Sequence, residues 1–311
     1  MEDLRATADL LNTVFAHDPP MGVSHLAWYY HQNPAGNAAV GQAHDAGHLV
    51  GNYALVPLRF RSATGPALVL GLGVDLSVHP AARGSGVYRR TVEDSYRVGT
   101  EAGLDGILGV ANAESAPRMV ETMGWRMLPL LASRLLVATP GRHGFVTHPV
   151  NRSLLDSDTI ERMLPQEVPG SVNGHGATWD STHLRWRLGR PGAEYVVHER
   201  DDVLLVSTTT TVRRLRVAVL LKVIPRRVQA DPIPSGSLAA ALATHHCTPL
   251  VLHWGANPSV HFLGIPIPRR LQPSPLVLVV HPFADNGVPR FDAGALSITG
   301  FEFLDFDAYC S

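Results

Sequence analysis

The stretch Val74-Asp-Leu-Ser-Val-His-Pro-Ala-Ala-Arg-Gly-Ser-Gly-Val-Tyr88 decides how the rest of the chain is read. An apolar run that begins at Ala67 ends at Val78, and Pro80 turns the chain. Arg83-Gly84-Ser85-Gly86 then leads into Val87, Thr91, Ser95 and Val98, which recur at helical spacing. A strand feeding a glycine-rich turn and then a helix aims consecutive backbone N–H groups at one point, at the positive end of the helix dipole. That arrangement cradles a pyrophosphate. Gly84 and Gly86 let the backbone approach the phosphates without an intervening Cβ, and Arg83, Arg89 and Arg90 add positive charge. The G-x-G-x-x-G spacing of a dinucleotide site is missing. The chain holds no Gly-Lys-Ser/Thr of a P-loop, and Gly84-Ser85-Gly86 is not a G-x-S-x-G nucleophile turn.

Working outward, Leu4, Ala8, Leu11, Val14 and Phe15 share one helical face, and a second short helix holds His25 to Tyr30 until Asn33-Pro34-Ala35-Gly36 breaks it. Strands are predicted over 38–43, 48–61 and 67–78, an antiparallel meander with turns at Asp45-Ala46-Gly47 and Ala63-Thr64-Gly65-Pro66. After the helix that starts at Val87 come a short buried strand at 107–110, a helix from about 114 to 123 closed by Gly124, and strand material at 126–138. These elements make one α/β domain over 1–140. The Pro, Gly and polar residues from Thr139 to Arg152 read as a linker. A second unit over 153–311 has helices at 179–188 and 237–244 and strands at 195–199, 204–210, 217–224, 250–254 and 276–281. Its order echoes the first half, and His25-Leu-Ala-Trp28 and His183-Leu-Arg-Trp186 open both, so a degenerate internal duplication is expected.

The length of 311 residues favours two domains, and 45% hydrophobic with 17% charged residues describes a globular chain. Lys and Arg number 26 against 27 Asp and Glu, so no whole-chain field attracts a polyanion. The arginine pairs at 89–90, 213–214, 226–227 and 269–270 are scattered without aromatic platforms, which argues against nucleic acid as a partner. Lys222 is the only lysine. Two cysteines, Cys247 and Cys310, exclude a disulfide framework and a four-thiolate metal site. The start MEDLRATADLL lacks the basic and apolar regions of a signal peptide, and runs such as Val217 to Leu221 are too short to span a bilayer. A soluble, cytoplasmic protein with no membrane partner is expected. His245-His246-Cys247, His253 and His261 match no zinc spacing, so no metal is expected.

The 74–88 stretch resembles the GNAT (Gcn5-related N-acetyltransferase) superfamily, since Pro80-Ala-Ala-Arg83-Gly84-Ser85-Gly86 reproduces its Pro-x-x-Arg-Gly-x-Gly form. Gly109-Val-Ala-Asn112-Ala-Glu-Ser115 followed by Met123-Gly124-Trp125 is similar to the family's second CoA-contacting strand and helix. Trp28-Tyr-Tyr-His-Gln-Asn33-Pro34-Ala-Gly36 resembles the opening of two-domain members, and Trp179-Asp180 with Leu184-Arg-Trp-Arg187 the start of their second copy. The resemblance implies a mixed-sheet α/β GNAT fold in tandem with a second, degenerate GNAT-like domain. It implies that the N–H groups of Arg83, Gly84, Ser85, Gly86 and Val87 hold the CoA pyrophosphate, with Tyr88 beside them. The backbone of Leu76, Ser77 and Val78 would pair with the pantetheine arm, and an N–H there would polarise the thioester carbonyl. Asn112 would touch the cofactor from a neighbouring, splayed strand. The implied activity moves an acetyl group from acetyl-CoA, or another acyl-CoA, to an amine of a small molecule by direct attack in a ternary complex. Amino sugars, antibiotics and natural-product intermediates fit as acceptors. Two alternatives stay open: O-acylation or other acyl-CoA chemistry, and a non-catalytic CoA-binding module.

Transfer to an amine needs a general base, for which Asp75 is the first candidate and His79, otherwise a solvated turn residue, the second. The tyrosine that serves many family members as acid is replaced here by Val120, which leaves solvent, Ser115 or an acid from elsewhere in the chain to protonate the thiolate. Trp28, Tyr29 and Tyr30 either wall an acceptor pocket or pack their helix on the sheet. The second unit has no Arg-Gly-x-Gly turn, only Pro225-Arg-Arg-Val-Gln and Asp231-Pro-Ile-Pro. It is expected to bind no CoA and to shape the acceptor site or a homodimer interface. The tail Phe301-Glu-Phe-Leu-Asp305-Phe-Asp307-Ala-Tyr309 either sends a carboxylate to an acceptor amine or, as the plainer reading, is a strand with solvated acids.

Overall fold

A computed structural model describes residues 3–17, 19–112, 115–141, 143–164, 173–227, 231–268, 272 and 276–306. The chain divides into two compact units. One comprises Met1–Phe60, Ala67–Leu128 and Val277–Leu296, the other Arg61–Pro66, Pro129–Leu276 and Ser297–Ser311. The expected division at 140 and 153 is therefore not the one the chain follows.

The first unit opens with helix α1 (Leu4–Phe15), whose first free N–H groups, those of Arg5 and Ala6, are capped by the Asp3 carboxylate. Helix α2 (Val23–His31) follows. Strands β1 (Ala39–Asp45), β2 (His48–Arg61) and β3 (Leu68–Val78) form the antiparallel meander read from the sequence. Helix α3 (Val87–Glu101) returns the chain to strand β4 (Gly106–Ala111), parallel to β3. The helix lies directly on β1, because a Cβ at Gly41 would stand 2.2 Å from the Ser95 backbone nitrogen. Helix α4 (Ser115–Met123) then leads to the short strand Arg126–Met127. The far edge of β4 is covered by Val277–Pro282, antiparallel to it from Ala111 to Gly106. This strand was expected in the second unit. All four of Val277 to Val280 are buried, and nothing in such an apolar run specifies which sheet it completes.

The second unit repeats the plan. Helix Ser181–Leu188 precedes the antiparallel strands Val196–Arg200, Val203–Val212 and Leu215–Pro225. Helix Ser235–His246 returns to Leu250–Ala256, which runs parallel to Leu215–Pro225. The next position is filled by Ala132–Val137, antiparallel to Leu250–Ala256. Each unit thus takes the strand beyond its parallel pair from the other half of the sequence. Pairing in both units also slips at the same place, between the second and third meander strands. The duplication is present in the topology. Part of the expected linker is structured as well, since Val146–Pro149 adds an edge strand to Val196–Arg200. Pro149 is tolerated there because an edge strand needs fewer N–H donors. Among the described residues no helix is long and apolar enough to cross a membrane.

Candidate active site

The slip in the first unit creates the site. Asn52 pairs with Ser77 and Ala54 with Val74, so Tyr53 alone faces Asp75 and Leu76 across a bulge. Asp75 absorbs the extra residue at φ 57°, a left-handed conformation that aspartate adopts more readily than most residues. On the other side, β3 and β4 pair only from Leu70 with Gly106 to Gly73 with Gly109. Beyond Gly73 the two strands part. Leu76, Ser77 and Val78 keep one edge on β2 and turn the other toward a cleft of about 1330 Å³. Tyr53, Gly73, Gly109 and Asn112 line it near the divergence, and Arg83, Gly84, Gly86, Tyr88 and Arg118 line it elsewhere.

The turn after β3 carries the residues expected to cradle a phosphate, with one exception. Pro80–Ala82 forms one 3-10 turn, whose carbonyl at Pro80 accepts the Arg83 N–H, so that N–H is not available to a ligand. Gly84 and Gly86 sit at φ 82° and 77°, and Gly86 caps α3 without any side-chain partner. Among the described residues no protein acceptor takes the N–H groups of residues 84–89. A Cβ on Gly84 or Gly86 would meet no protein atom within 4 Å, so these glycines serve backbone conformation and open space rather than internal packing. Ser85 fixes the turn by donating to the Ala82 carbonyl (2.7 Å). Val87 is buried, and Tyr88 is 42% exposed with its hydroxyl donating to Met123 Sδ (3.5 Å).

The other predicted residues fall in different places. The Asp75 carboxylate accepts from the buried Tyr30 hydroxyl (2.7 Å), and the buried Asn52 amide donates to the Asp75 carbonyl (3.3 Å). His79 caps its own turn, its Nδ1 accepting from the Ala81 N–H (3.3 Å), and it does not line the cleft. Asn112 is exposed at the end of β4 and lines the cleft. Ser115 begins α4, and its side chain lies outside the description. Trp28, Tyr29 and Tyr30 are buried at 3%, 4% and 0% exposure and do not line the cleft; Trp28 stacks on Tyr29. Tyr30 reaches a candidate catalytic group, Asp75.

The fold of the whole chain is similar to that of solved structures. A GCN5-related N-acetyltransferase from Anabaena variabilis superposes with a TM-score of 0.60 at 10% identity, over 89% of this chain and 69% of that one. One from Kribbella flavida gives 0.56 at 10% identity, over 89% and 68%. The chain has the GNAT fold. No family model matches the sequence, and no curated protein does.

Within this GNAT fold the second unit carries a gap at the corresponding place. Its parallel strands also part, after Leu220 and His253. The gap is filled by protein: Asn257 donates to the Val223 carbonyl (2.8 Å), and Glu302 accepts the Val223 N–H (3.3 Å). Lys222 lies against Asp305 (2.7 Å) and Glu302 (3.4 Å), all three buried. Glu302 and Asp305, two of the tail acids expected in solvent, are thus the partners of the chain's only lysine, and Asp307 and Tyr309 lie outside the described residues. Burial of two carboxylates demanded a cation, and no local sequence signal pairs residues 80 positions apart. Sequence reading also missed Tyr53, Tyr96 and Arg118 as cleft residues. Their only signal was strand and helix phase: Tyr53 opposes the bulge, and Tyr96 lies one helical repeat below Val92, which also lines the cleft.

Proposed function

We propose that the chain is an acyltransferase that moves an acetyl group from acetyl-CoA to an amine of a small molecule. The observation that carries this reading is one cleft holding both an open edge of β3 and the unpartnered N–H groups of residues 84–89. The residues fit a CoA ester. An extended pantetheine arm suits the open edge at Leu76, Ser77 and Val78 as an added strand would. The N–H groups of 84–89, the α3 dipole and Arg83 suit the pyrophosphate. Bound acyl-CoA supplies an activated thioester carbonyl.

The chain's own residues supply the rest. A β3 N–H at the divergence stabilises charge developing on the carbonyl oxygen. Asp75, held by Tyr30, takes the proton of the attacking amine. The cleft brings the two reactants together, which lowers the entropic part of the barrier. The second unit, with its slot plugged by Glu302 and Asn257, supports a role toward the acceptor or a second copy rather than CoA.

Calorimetric titration with acetyl-CoA tests the reading, repeated on Gly84→Glu, which sets a carboxylate beside the N–H cluster. Micromolar binding by the native chain that the substitution abolishes supports it and justifies screening amine acceptors by thiol release. Absence of binding by the native chain overturns it. Binding without turnover on any amine or alcohol would leave a CoA-binding module.

A further inference from the structure

We propose that the Tyr53 hydroxyl donates a hydrogen bond to the thioester sulfur and to the thiolate that leaves from it. The inference rests on the acyl-CoA reading of the cleft.

Three tyrosines line the cleft, and two are already engaged. The Tyr88 hydroxyl donates to Met123 Sδ, and the Tyr96 hydroxyl accepts from Trp125 Nε1 (2.6 Å). Among the described residues nothing hydrogen-bonds the Tyr53 hydroxyl, although the ring is only 3% exposed. The hydroxyl opens on the cleft with no described protein group holding it, so it is available to a bound ligand. Its position is specific. A Cβ on Gly73 would lie 2.2 Å from this oxygen, so glycine at 73 is what lets the hydroxyl reach the strand. Gly73 is the last β3 residue paired with β4, opposite Gly109. The hydroxyl therefore stands where the strands part, and an arm lying along Leu76 to Val78 would run toward it.

In the step, the acceptor's lone pair forms the new bond to the acyl carbon as the C–S bond breaks. The electron pair passes to sulfur, and the acceptor's proton passes to the base. Sulfur leaves as thiolate under the Tyr53 hydrogen bond and takes a proton from solvent after release. Burial, with Tyr96 and Tyr88 nearby, raises the Tyr53 ionisation above its ordinary value, so the phenol donates a hydrogen bond without surrendering its proton. Arg83, then Tyr88, Arg89, Glu93 and Tyr96 on α3 and Arg118 on α4 are the other ionisable groups lining the cleft.

The test uses free coenzyme A and the intact chain. A donor to sulfur favours the thiolate, so the bound thiol titrates about one unit lower in the native protein than in Tyr53→Phe, read by thiolate ultraviolet absorbance. Turnover in Tyr53→Phe falls about tenfold or more with acetyl-CoA affinity unchanged, since a hydrogen bond to a charged group is lost. Gly73→Ala, which displaces the hydroxyl, shifts the thiol titration in the same direction; thermal unfolding checks that both variants fold. Equal thiol titration in native protein and Tyr53→Phe overturns the role of Tyr53 while leaving the acyltransferase reading intact. Failure of the native protein to bind coenzyme A overturns the underlying reading instead.

Discussion

At the residue scale the proposed base is Asp75, which does not itself line the cleft. It takes the positive φ of the bulge and accepts from Tyr30. Asp75→Asn keeps a carbonyl for Tyr30 but removes the base. Turnover is expected to fall about a hundredfold or more, with acetyl-CoA affinity unaltered, in a thiol-release assay beside calorimetry. Unchanged turnover would remove Asp75 from the mechanism and leave proton removal to solvent. Gly86 makes a purely conformational counterpart. At φ 77° with open space where a Cβ would stand, Gly86→Ala is expected to cost about 1–2 kcal/mol in denaturant unfolding, through backbone strain and not through a clash. Both positions were marked by the sequence, because Asp before a Pro-x-x-Arg-Gly-x-Gly turn and glycine at a helix start carry local signals. Tyr53 was not marked, since its value depends on Gly73 lying across the sheet from it.

At the scale of single elements, two buried polar groups set the second unit's behaviour. Ser207 lies between His198 Nε2 and His246 Nε2, 2.8 Å from each. Burial, and then the neighbouring imidazoles, lowers His198 from 6.5 to about 3 and His246 to about 4. Folded-state values below the unfolded ones mean that the unfolded chain binds more protons in that window. The stability they contribute is present above pH 6.5 and lost as pH falls toward 4 and then 3. Thermal melts from pH 7 to 4 should show this loss, and a His198→Gln, His246→Gln double variant should flatten the slope. Lys222 is the second group. Glu302 and Asp305 hold it charged against the cost of burial, and Lys222→Met leaves both carboxylates without a cation. Urea unfolding should register a loss of about 3–5 kcal/mol. A loss under 1 kcal/mol would mean that water or Arg187 compensates.

Across the whole molecule, the exchanged strands tie the two halves of the sequence into the two units. Val277–Pro282 covers β4 in the first unit, and Ala132–Val137 covers Leu250–Ala256 in the second. A fragment ending at residue 140 would therefore present a bare β4 edge built from buried apolar residues, and such edges aggregate. We expect it to be insoluble or molten by circular dichroism, with acetyl-CoA binding absent. Joining residues 277–296 to a fragment ending at 128 by a flexible linker should restore cooperative melting. A fragment of 1–140 that folds and binds would show that the exchanged strand is dispensable.

The sequence by itself determined most elements of both units, the strand-to-helix turn after β3 and the two glycines that turn needs at positive φ. Those features are local: period, turn chemistry and helix start are decided by residues within a few positions of one another. Only the tertiary structure decided which strand completes which sheet, that Trp28, Tyr29 and Tyr30 pack rather than line the cleft, and that Glu302 and Asp305 are buried beside Lys222. The physical reason is common to all three. An apolar strand fits any apolar edge, and an acid can lie in water or against a buried cation, until distant segments meet and burial assigns each a single partner.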